Sequence, residues 1–454
     1  MTHDRPNVLL IVLDTTRADY FSCYGHERPT TPCVDQIAEE GIRFGRAYAT
    51  DFWTLPSHAS LLTGLYPTEA QATSETNHLP DNVTTLAERL RACDYRTGAV
   101  VCNVWVGRER GFGRGFQDFT EMWRQPKPHT HAGRPALTEQ TAVDQALAWM
   151  DAQAPGQAPF FLFVNFNVAH MPYRPPQAFW ERFATRQWPA VRLNRLTRIA
   201  GMWPHLAGRL RLDETAYQIM RELYAAEVAV ADAQVGQLVE ALTKRSLLDD
   251  TLVIVTSDHG ENIGDHGMID HLLSMYETTL HIPLVIRYPK HFQAGAVSNE
   301  LVSLVDIAPT ILDVCGLPAE VFPAEVQRIS LCQEDRGPRE FVVAENDRPM
   351  NGVNLLKSKF PDFDTTTIDH RMRMIRTEHH KLIWRENGQT EVFDLESDPD
   401  EAMNIAETRP EIRDGLLGRL KEWMAAVERE DSAKAFESDD TEVVRRLRLL
   451  GYIE

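Results

Sequence analysis

The 454-residue chain is poor in long apolar runs, and no stretch approaches the ~20 consecutive apolar residues needed to cross a bilayer. Its six cysteines (Cys23, Cys33, Cys93, Cys102, Cys315 and Cys332) include no C-x-x-C pair and no dense framework. That spacing excludes a disulfide scaffold and reads as free thiols in a reducing compartment. Basic charge is also short: 47 Lys and Arg face 66 Asp and Glu, a net charge of −19. Such a balance excludes a general nucleic-acid binder, which needs a basic face. No internal repeat or low-complexity tract is present, so solenoid and disordered classes fall away. The apolar run from Val8 to Leu13 is too short for a signal-peptide core. The expectation is a soluble, cytoplasmic protein.

What is present is enough apolar content, 43%, for a large core. Strand-length runs recur at "NVLLIVL", "TGAVV", "FFLFVNF", "TLVIVT" and "IPLVIR", with helical spacing between them in "DNVTTLAERLRACD" and from Glu214 to Lys244. Alternation of this kind predicts an α/β fold: a doubly wound, mainly parallel sheet with helices on both faces, over residues 1–325. After "VDIAPTILDVCGLP" the pattern changes to short alternating runs, "FVVAEN", "MRMIRTEHHKLIW" and "TEVFDL", followed by a helical stretch at about 409–429. These predict a smaller C-terminal α+β domain with an antiparallel sheet over 326–454. One segment reverses the acidity. Residues 181–212 carry seven arginines and one acidic residue, interleaved with apolar residues at three- and four-residue steps. The segment reads as a basic amphipathic helical insertion, either packed by its apolar stripe or offering a face to anionic lipid or substrate.

In an open α/β sheet, sites form beyond the carboxyl ends of the strands. "NVLLIVL" ends in Asp14, and "TLVIVTSDHG" delivers Asp258 and His259 side by side at a sharp turn. Carboxylate oxygen and imidazole nitrogen are ligands for hard or borderline cations. Thr54 in "FWTLPSHASLLTG" adds an oxygen at a predicted helix start, either as a simple N-cap or as a nucleophile, with Pro56 opening the helix. Asp14, Thr54, Asp258 and His259 thus make a candidate four-ligand site for one divalent ion, Mn²⁺, Ca²⁺ or Zn²⁺.

In order and spacing, "RPNVLLIVLDTTRAD", "TLPSHASLLTGLYP", "PFFLFVNFNVAHMPY", "TSDHGENIGDHG", "HIPLVIRYP" and "EVFDLESDPDEAMNIAE" resemble the sulfatase branch of the alkaline phosphatase superfamily, across nearly the whole chain. Formylglycine-dependent sulfatases carry C-x-P-x-R or S-x-P-x-R; here Thr54 takes the first position and His58 the arginine position. Threonine has no route to the formylglycine aldehyde. The resemblance therefore implies a metal-bound Thr54 nucleophile, as in the threonine-using relatives that act on phosphoesters. It places His170 near the transferred group and His271 where many sulfatases have a lysine, both as candidates for moving the leaving-group proton. Asn103 falls at another lysine position, and Asn103, His58 and Arg17 are candidate substrate contacts, with a strand end, support of the nucleophile and a structural role beside Asp14 as their respective alternatives. Because Phe166 lies four residues before His170, the second metal site of two-zinc members is not expected. The leading expectation is hydrolysis or transfer of a phosphodiester, phosphonate ester or phosphomonoester. The alternatives are sulfate-ester hydrolysis without formylglycine, and a non-catalytic binding homologue. The expected partner is an anionic ester, with no nucleic acid and no membrane other than contact by 181–212.

Overall fold

The apolar runs become the strands that position everything else. In the computed structural model, residues 5–125, 138–153, 158–199, 202–318, 328–333, 337–427 and 440–449 are described. Strands β1 (Asn7–Leu13), β2 (Ile42–Tyr48), β3 (Arg96–Val101), β4 (Asp118–Glu121), β5 (Phe160–Phe166) and β6 (Thr251–Thr256) come first. A hairpin of β7 (Asn262–Ile263) and β8 (Ile269–Asp270) follows, then β9 (His281–Ile282), β10 (Leu284–Arg287) and β11 (Ala296–Ser303). Nine of these form one sheet in the order β11-β2-β10-β6-β1-β5-β3-β4, with β9 beside β2. Strands β6, β1, β5, β3 and β4 run parallel, and β10 runs antiparallel to β6 and β2. All of β5 and β6, and all of β1 except Asn7, are buried. Burial on both faces is why these strands read as continuous Val, Leu, Ile and Phe rather than as alternation.

The long helix Glu214–Lys244 packs on the helices Pro32–Glu39 and Thr138–Asp151, whereas Thr54–Thr63 packs on Leu86–Ala92 and Ile307–Val314. The smaller sheet is antiparallel, in the order β12 (Val342–Asn346), β13 (Met372–Arg376), β14 (His380–Arg385) and β15 (Thr390–Asp394). The helix Pro410–Val427 covers it, with Trp423 edge-on to Tyr66 at 4.8 Å. The expected domain boundary near residue 325 lies outside the described residues. Among the described residues, no helix is long and apolar enough to cross a membrane.

The basic insertion is three short helices, Gln177–Phe183, Ala190–Leu196 and Trp203–Leu206, rather than one amphipathic rod. Proline explains the division: Pro189 is the N-cap of the second helix and Pro204 lies in the first turn of the third. Leu196, Ile199, Met202 and Trp203 are buried, and Arg195, Arg198 and Arg211 are exposed. Arg192 and Arg209 pair with Asp213 (2.7 Å) and Asp362 (2.6 Å).

Candidate active site

Three chain segments meet at the carboxyl edge of the sheet. Strand β1 hands over to Asp14, whose backbone N–H donates to Phe166 at the end of β5 (2.9 Å). Strand β6 hands over to Ser257, Asp258 and His259. The third segment is the helix Thr54–Thr63, in which every residue is buried. Trp53, not Thr54, is its N-cap; Thr54 is the first helical residue and Pro56 the third. Proline is tolerated there because the first-turn N–H groups have no partner inside the helix. Ser57 Oγ donates to the Asp51 carbonyl (2.8 Å), and Gly64, at φ 75°, closes the far end in the left-handed region that glycine occupies freely.

The side chains converge. Asn103 Nδ2 donates to Asp14 Oδ2 (2.6 Å) and to Thr54 Oγ1 (3.4 Å). His259 Nδ1 lies 3.0 Å from the Gly260 carbonyl, to which it donates, so Nε2 carries the lone pair that faces Thr54 Oγ1 at 3.3 Å. Asp258 Oδ1 accepts the backbone N–H groups of Thr15 (3.1 Å) and His259 (2.9 Å). The other oxygen, Oδ2, lies 3.3 Å from His259 Nε2. Asp14, Thr54, Asp258 and His259 are all fully buried. Burial, then the neighbouring Asp258, raises the Asp14 carboxyl to about 6; burial likewise raises Asp258. Burial and then the nearby His271 hold His259 well below its usual range, as a neutral imidazole.

These residues fit a divalent cation. Asp14 Oδ1 and Asp258 Oδ2 are buried without a hydrogen bond, and Asp14, Asp258 and His259 each offer a ligand atom within 4.8 Å of the others. Two facing carboxylates in a dry site repel unless a proton or a cation sits between them. Asp14, Asp258, His259 and Thr54 Oγ1 would hold the ion. When bound, it would lower the pKa of the threonine hydroxyl and neutralise an anionic ester.

Beside this group lies a file of imidazoles. The rings of His259 and His271 are 4.5 Å apart, and those of His271 and His170 5.0 Å. His170 Nδ1 donates to the Met171 carbonyl (2.6 Å), and burial followed by His271 lowers its pKa. Burial works against charge on His271 too, but Asp270 and Glu261 outweigh it and the pKa is raised well above the ordinary value. His271 Nδ1 lies 2.9 Å from Asp270 Oδ1 and 3.5 Å from Glu261 Oε1. Neighbouring histidines are thus pushed apart, one neutral and one charged, as an acid–base pair requires.

His58 and Arg17 are held largely by protein partners, the supporting one of the two roles the sequence left open for each. His58 is fully buried; its Nδ1 donates to the Thr54 carbonyl (2.9 Å), and Asn165 Nδ2 donates to its Nε2 (3.4 Å). It sits 3.4 Å from Asp258 Oδ2 and steadies that carboxylate and the helix start. Arg17 directs four of its five N–H donors to Asp19 (2.9 and 2.7 Å), Asp265 (2.8 Å) and the Glu261 carbonyl (3.1 Å), so it is held chiefly by the protein. Sequence reasoning missed Glu261 and Asp270. The available signal was the "DHGENIGDHGMIDH" stretch itself, in which Gly264 and Gly267 mark a hairpin that folds residue 261 back onto 270 and 271.

A buried carboxylate–imidazole–threonine centre at the carboxyl edge of a doubly wound sheet defines an ester hydrolase that acts on sulfuric or phosphoric esters. The chain belongs to the sulfatase family: residues 6–317 match the sulfatase family, and residues 264–429 match the C-terminal region of N-sulphoglucosamine sulphohydrolase. It is similar to arylsulfatase K of Bos taurus, 27% identical over 92% of this chain and 81% of that protein. It is also similar to an N-acetylglucosamine-6-O-sulfatase of Bacteroides thetaiotaomicron, 25% identical over 88% of this chain and 82% of the relative. Its fold matches a structure solved in complex with its substrate D-glucosamine-2-N,6-O-disulfate, with a TM-score of 0.75 at 23% identity over 95% of this chain and 99% of that one. The phosphonate monoester hydrolase of Agrobacterium radiobacter matches with a TM-score of 0.72 at 24% identity, over 93% and 96%.

Proposed function

We propose that the protein is a metal-dependent hydrolase of a sulfate monoester that uses Thr54 as its nucleophile. The observation that carries this reading is the convergence of Thr54 Oγ1, Asp14, Asp258 and His259 at a helix N-terminus, beside one charged and one neutral histidine. The curated relatives support sulfate over the phosphoester expected from the sequence, because those named are sulfatases over most of the chain. Charge supports it as well. Among the described residues no Lys or Arg bonds to any of the four centre residues, so a monoanionic ester suits the site better than a phosphomonoester dianion. In this mechanism Thr54, its hydroxyl proton released to solvent as the cation would make it acidic, attacks sulfur through Oγ1, the bond to the leaving oxygen breaks, and His271 gives that oxygen a proton. Water then attacks sulfur, the S–Oγ1 bond breaks and Thr54 takes up a proton again. Asn103 orients Thr54 and Asp14, the helix N-terminus favours the anion, and His170 accepts a proton from the water that releases the group.

A second reading, hydrolysis of a phosphonate monoester or phosphodiester, keeps the same residues. It is favoured by Thr54 standing at the formylglycine position, since a threonine phosphoester is resolved by attack at phosphorus without an aldehyde. Turnover of p-nitrophenyl sulfate, phenyl p-nitrophenylphosphonate, bis-p-nitrophenyl phosphate and p-nitrophenyl phosphate, each with added Mn²⁺ or Ca²⁺, separates the two. The highest kcat/KM is expected for the sulfate and the lowest for the dianionic phosphate. A phosphonate or diester rate above the sulfate rate moves the assignment to the second reading, and no turnover of any ester leaves a binding homologue.

A further inference from the structure

The hairpin of β7 and β8 does more than connect strands. Its register sets Asn262 opposite Asp270, and Asn262 Nδ2 donates to the Asp270 carbonyl (2.8 Å). Asp270 adopts φ 71°, a left-handed conformation that Asp and Asn tolerate better than most side chains. In that pose its two carboxylate oxygens face different partners. Oδ1 accepts the backbone N–H of His271 (2.8 Å) and lies 2.9 Å from His271 Nδ1; Oδ2 accepts the backbone N–H of Met202 (3.1 Å). Met202 belongs to the basic insertion, which also reaches the hairpin through His205 Nε2, donating to the Gly267 carbonyl (2.9 Å). Trp203, the next residue, packs on Gly352 of the helix Met350–Lys359. The insertion is therefore fixed between the C-terminal domain and the carboxylate that holds His271.

We propose that Asp270 is a positioning residue, clamped by the insertion through Met202, that fixes the tautomer and orientation of His271 so that its Nε2–H is the proton donor to the leaving oxygen. A carboxylate on Nδ1 leaves Nε2 as the working nitrogen and steadies the imidazolium, the arrangement by which an aspartate serves the histidine of a hydrolase triad. Glu261 is the competitor for the same nitrogen, and geometry favours Asp270: its Oδ1 lies 2.9 Å from Nδ1 against 3.5 Å for Glu261 Oε1, and the backbone N–H groups of His271 and Met202 hold its carboxylate in place. This assignment gives the insertion a task that surface solvation of its arginines does not: it ties that segment to the proton donor.

The inference rests on the hydrolase reading above, and the test separates the two. Kinetics are measured for a matched pair of aryl esters, p-nitrophenyl and phenyl, of whichever acid the full-length protein turns over, for the wild type, Asp270→Asn, Glu261→Gln and His271→Gln. A good leaving group departs without a proton, and a poor one does not. Asp270→Asn keeps the left-handed backbone, and it should slow the phenyl ester by ~10²-fold or more while slowing the p-nitrophenyl ester by less than about ten-fold. KM and metal content should be unchanged, and Glu261→Gln should show no such split. Equal losses on both esters with Asp270→Asn, while His271→Gln still discriminates between them, overturn the positioning role and leave the hydrolase reading standing. If His271→Gln does not discriminate either, His271 is not the donor and the positioning role of Asp270 falls with it, while turnover of the esters keeps the hydrolase reading.

Discussion

In the proposed mechanism the chemistry turns on Thr54, whose hydroxyl faces Asn103 and His259 at the start of its helix. Thr54→Ala should lower kcat by more than ~10³-fold with the melting temperature little changed, and Thr54→Ser, which keeps the hydroxyl, should retain part of the rate. Near-normal turnover by the alanine variant would remove Thr54 from the mechanism. Asp258→Asn and His259→Ala should each lose metal and activity together, as measured by elemental analysis of the purified variants; full occupancy in both would place the ion elsewhere. Asp14, Thr54, Asp258 and His259 were legible because strand ends and helix starts are visible in the sequence, and an α/β sheet gathers its strand ends at one edge. For His58 and Arg17 the sequence left open a substrate contact or a supporting role. Two of their partners, the Thr54 carbonyl and Asp19, are four and two residues away, but Asp265 lies 248 residues from Arg17, and that contact exists only once the chain is folded.

At the scale of elements, apolar periodicity marked the strands well, yet the register of the β7–β8 hairpin is set by two short pairings that no period reveals. Glu261 and Asp270 were missed for that reason: Gly264 and Gly267 mark a turn but not which residues it pairs. The basic insertion was visible as a composition but not as three helices, because its prolines cut a pattern that periodicity alone would continue. Its contact with Asp270 ties it to the hairpin that carries His271, and on the proposed reading exposed Arg195, Arg198 and Arg211 attract an anion toward a chain of net charge −19. Neutralising these three together should lower kcat/KM at low salt, leave kcat nearly unchanged and flatten the ionic-strength dependence, since steering is screened over about 10 Å at 0.1 M. A triple variant with the parent's salt dependence would leave them as ordinary solvated charges. The anchoring of the insertion is tested separately. A Cβ on Gly352 would fall 2.2 Å from the Trp203 ring, so Gly352→Ala should lower the melting temperature by several degrees, consistent with the ~1–3 kcal/mol that overpacking costs.

For the whole molecule, the smaller sheet is joined to the larger domain by buried polar contacts. Asn346 Nδ2 donates to Asp51 (2.9 and 3.0 Å), three residues before Thr54, and Glu345 accepts from the backbone N–H (2.7 Å) and hydroxyl (2.6 Å) of Thr68. Deepest is Lys381 on β14, fully buried, whose Nζ lies 3.1 Å from Glu277 Oε1 and 2.8 Å from Glu401 Oε1. Lys381, with the buried Arg376 also acting on Glu277, holds Glu277 as the anion, and burial makes Glu401 the carboxyl that retains a proton. Burial raises the Glu401 carboxyl from 4.5 to about 7, against the pull of Lys381. Between about pH 4.5 and 7 the folded chain therefore holds a proton at Glu401 that the unfolded chain releases. The contribution of this residue to stability is complete below pH 4.5 and is lost as pH rises toward 7. Lys381→Met should cost about 3–5 kcal/mol by leaving both carboxylates without their cation, and adding Glu401→Gln should recover part of it. In the wild-type background Glu401→Gln removes the titrating group, so thermal melts from pH 4.5 to 7.5 should decline less steeply for the variant than for the parent. Parallel curves across that window would mean that Glu401 is ionised throughout in the folded protein.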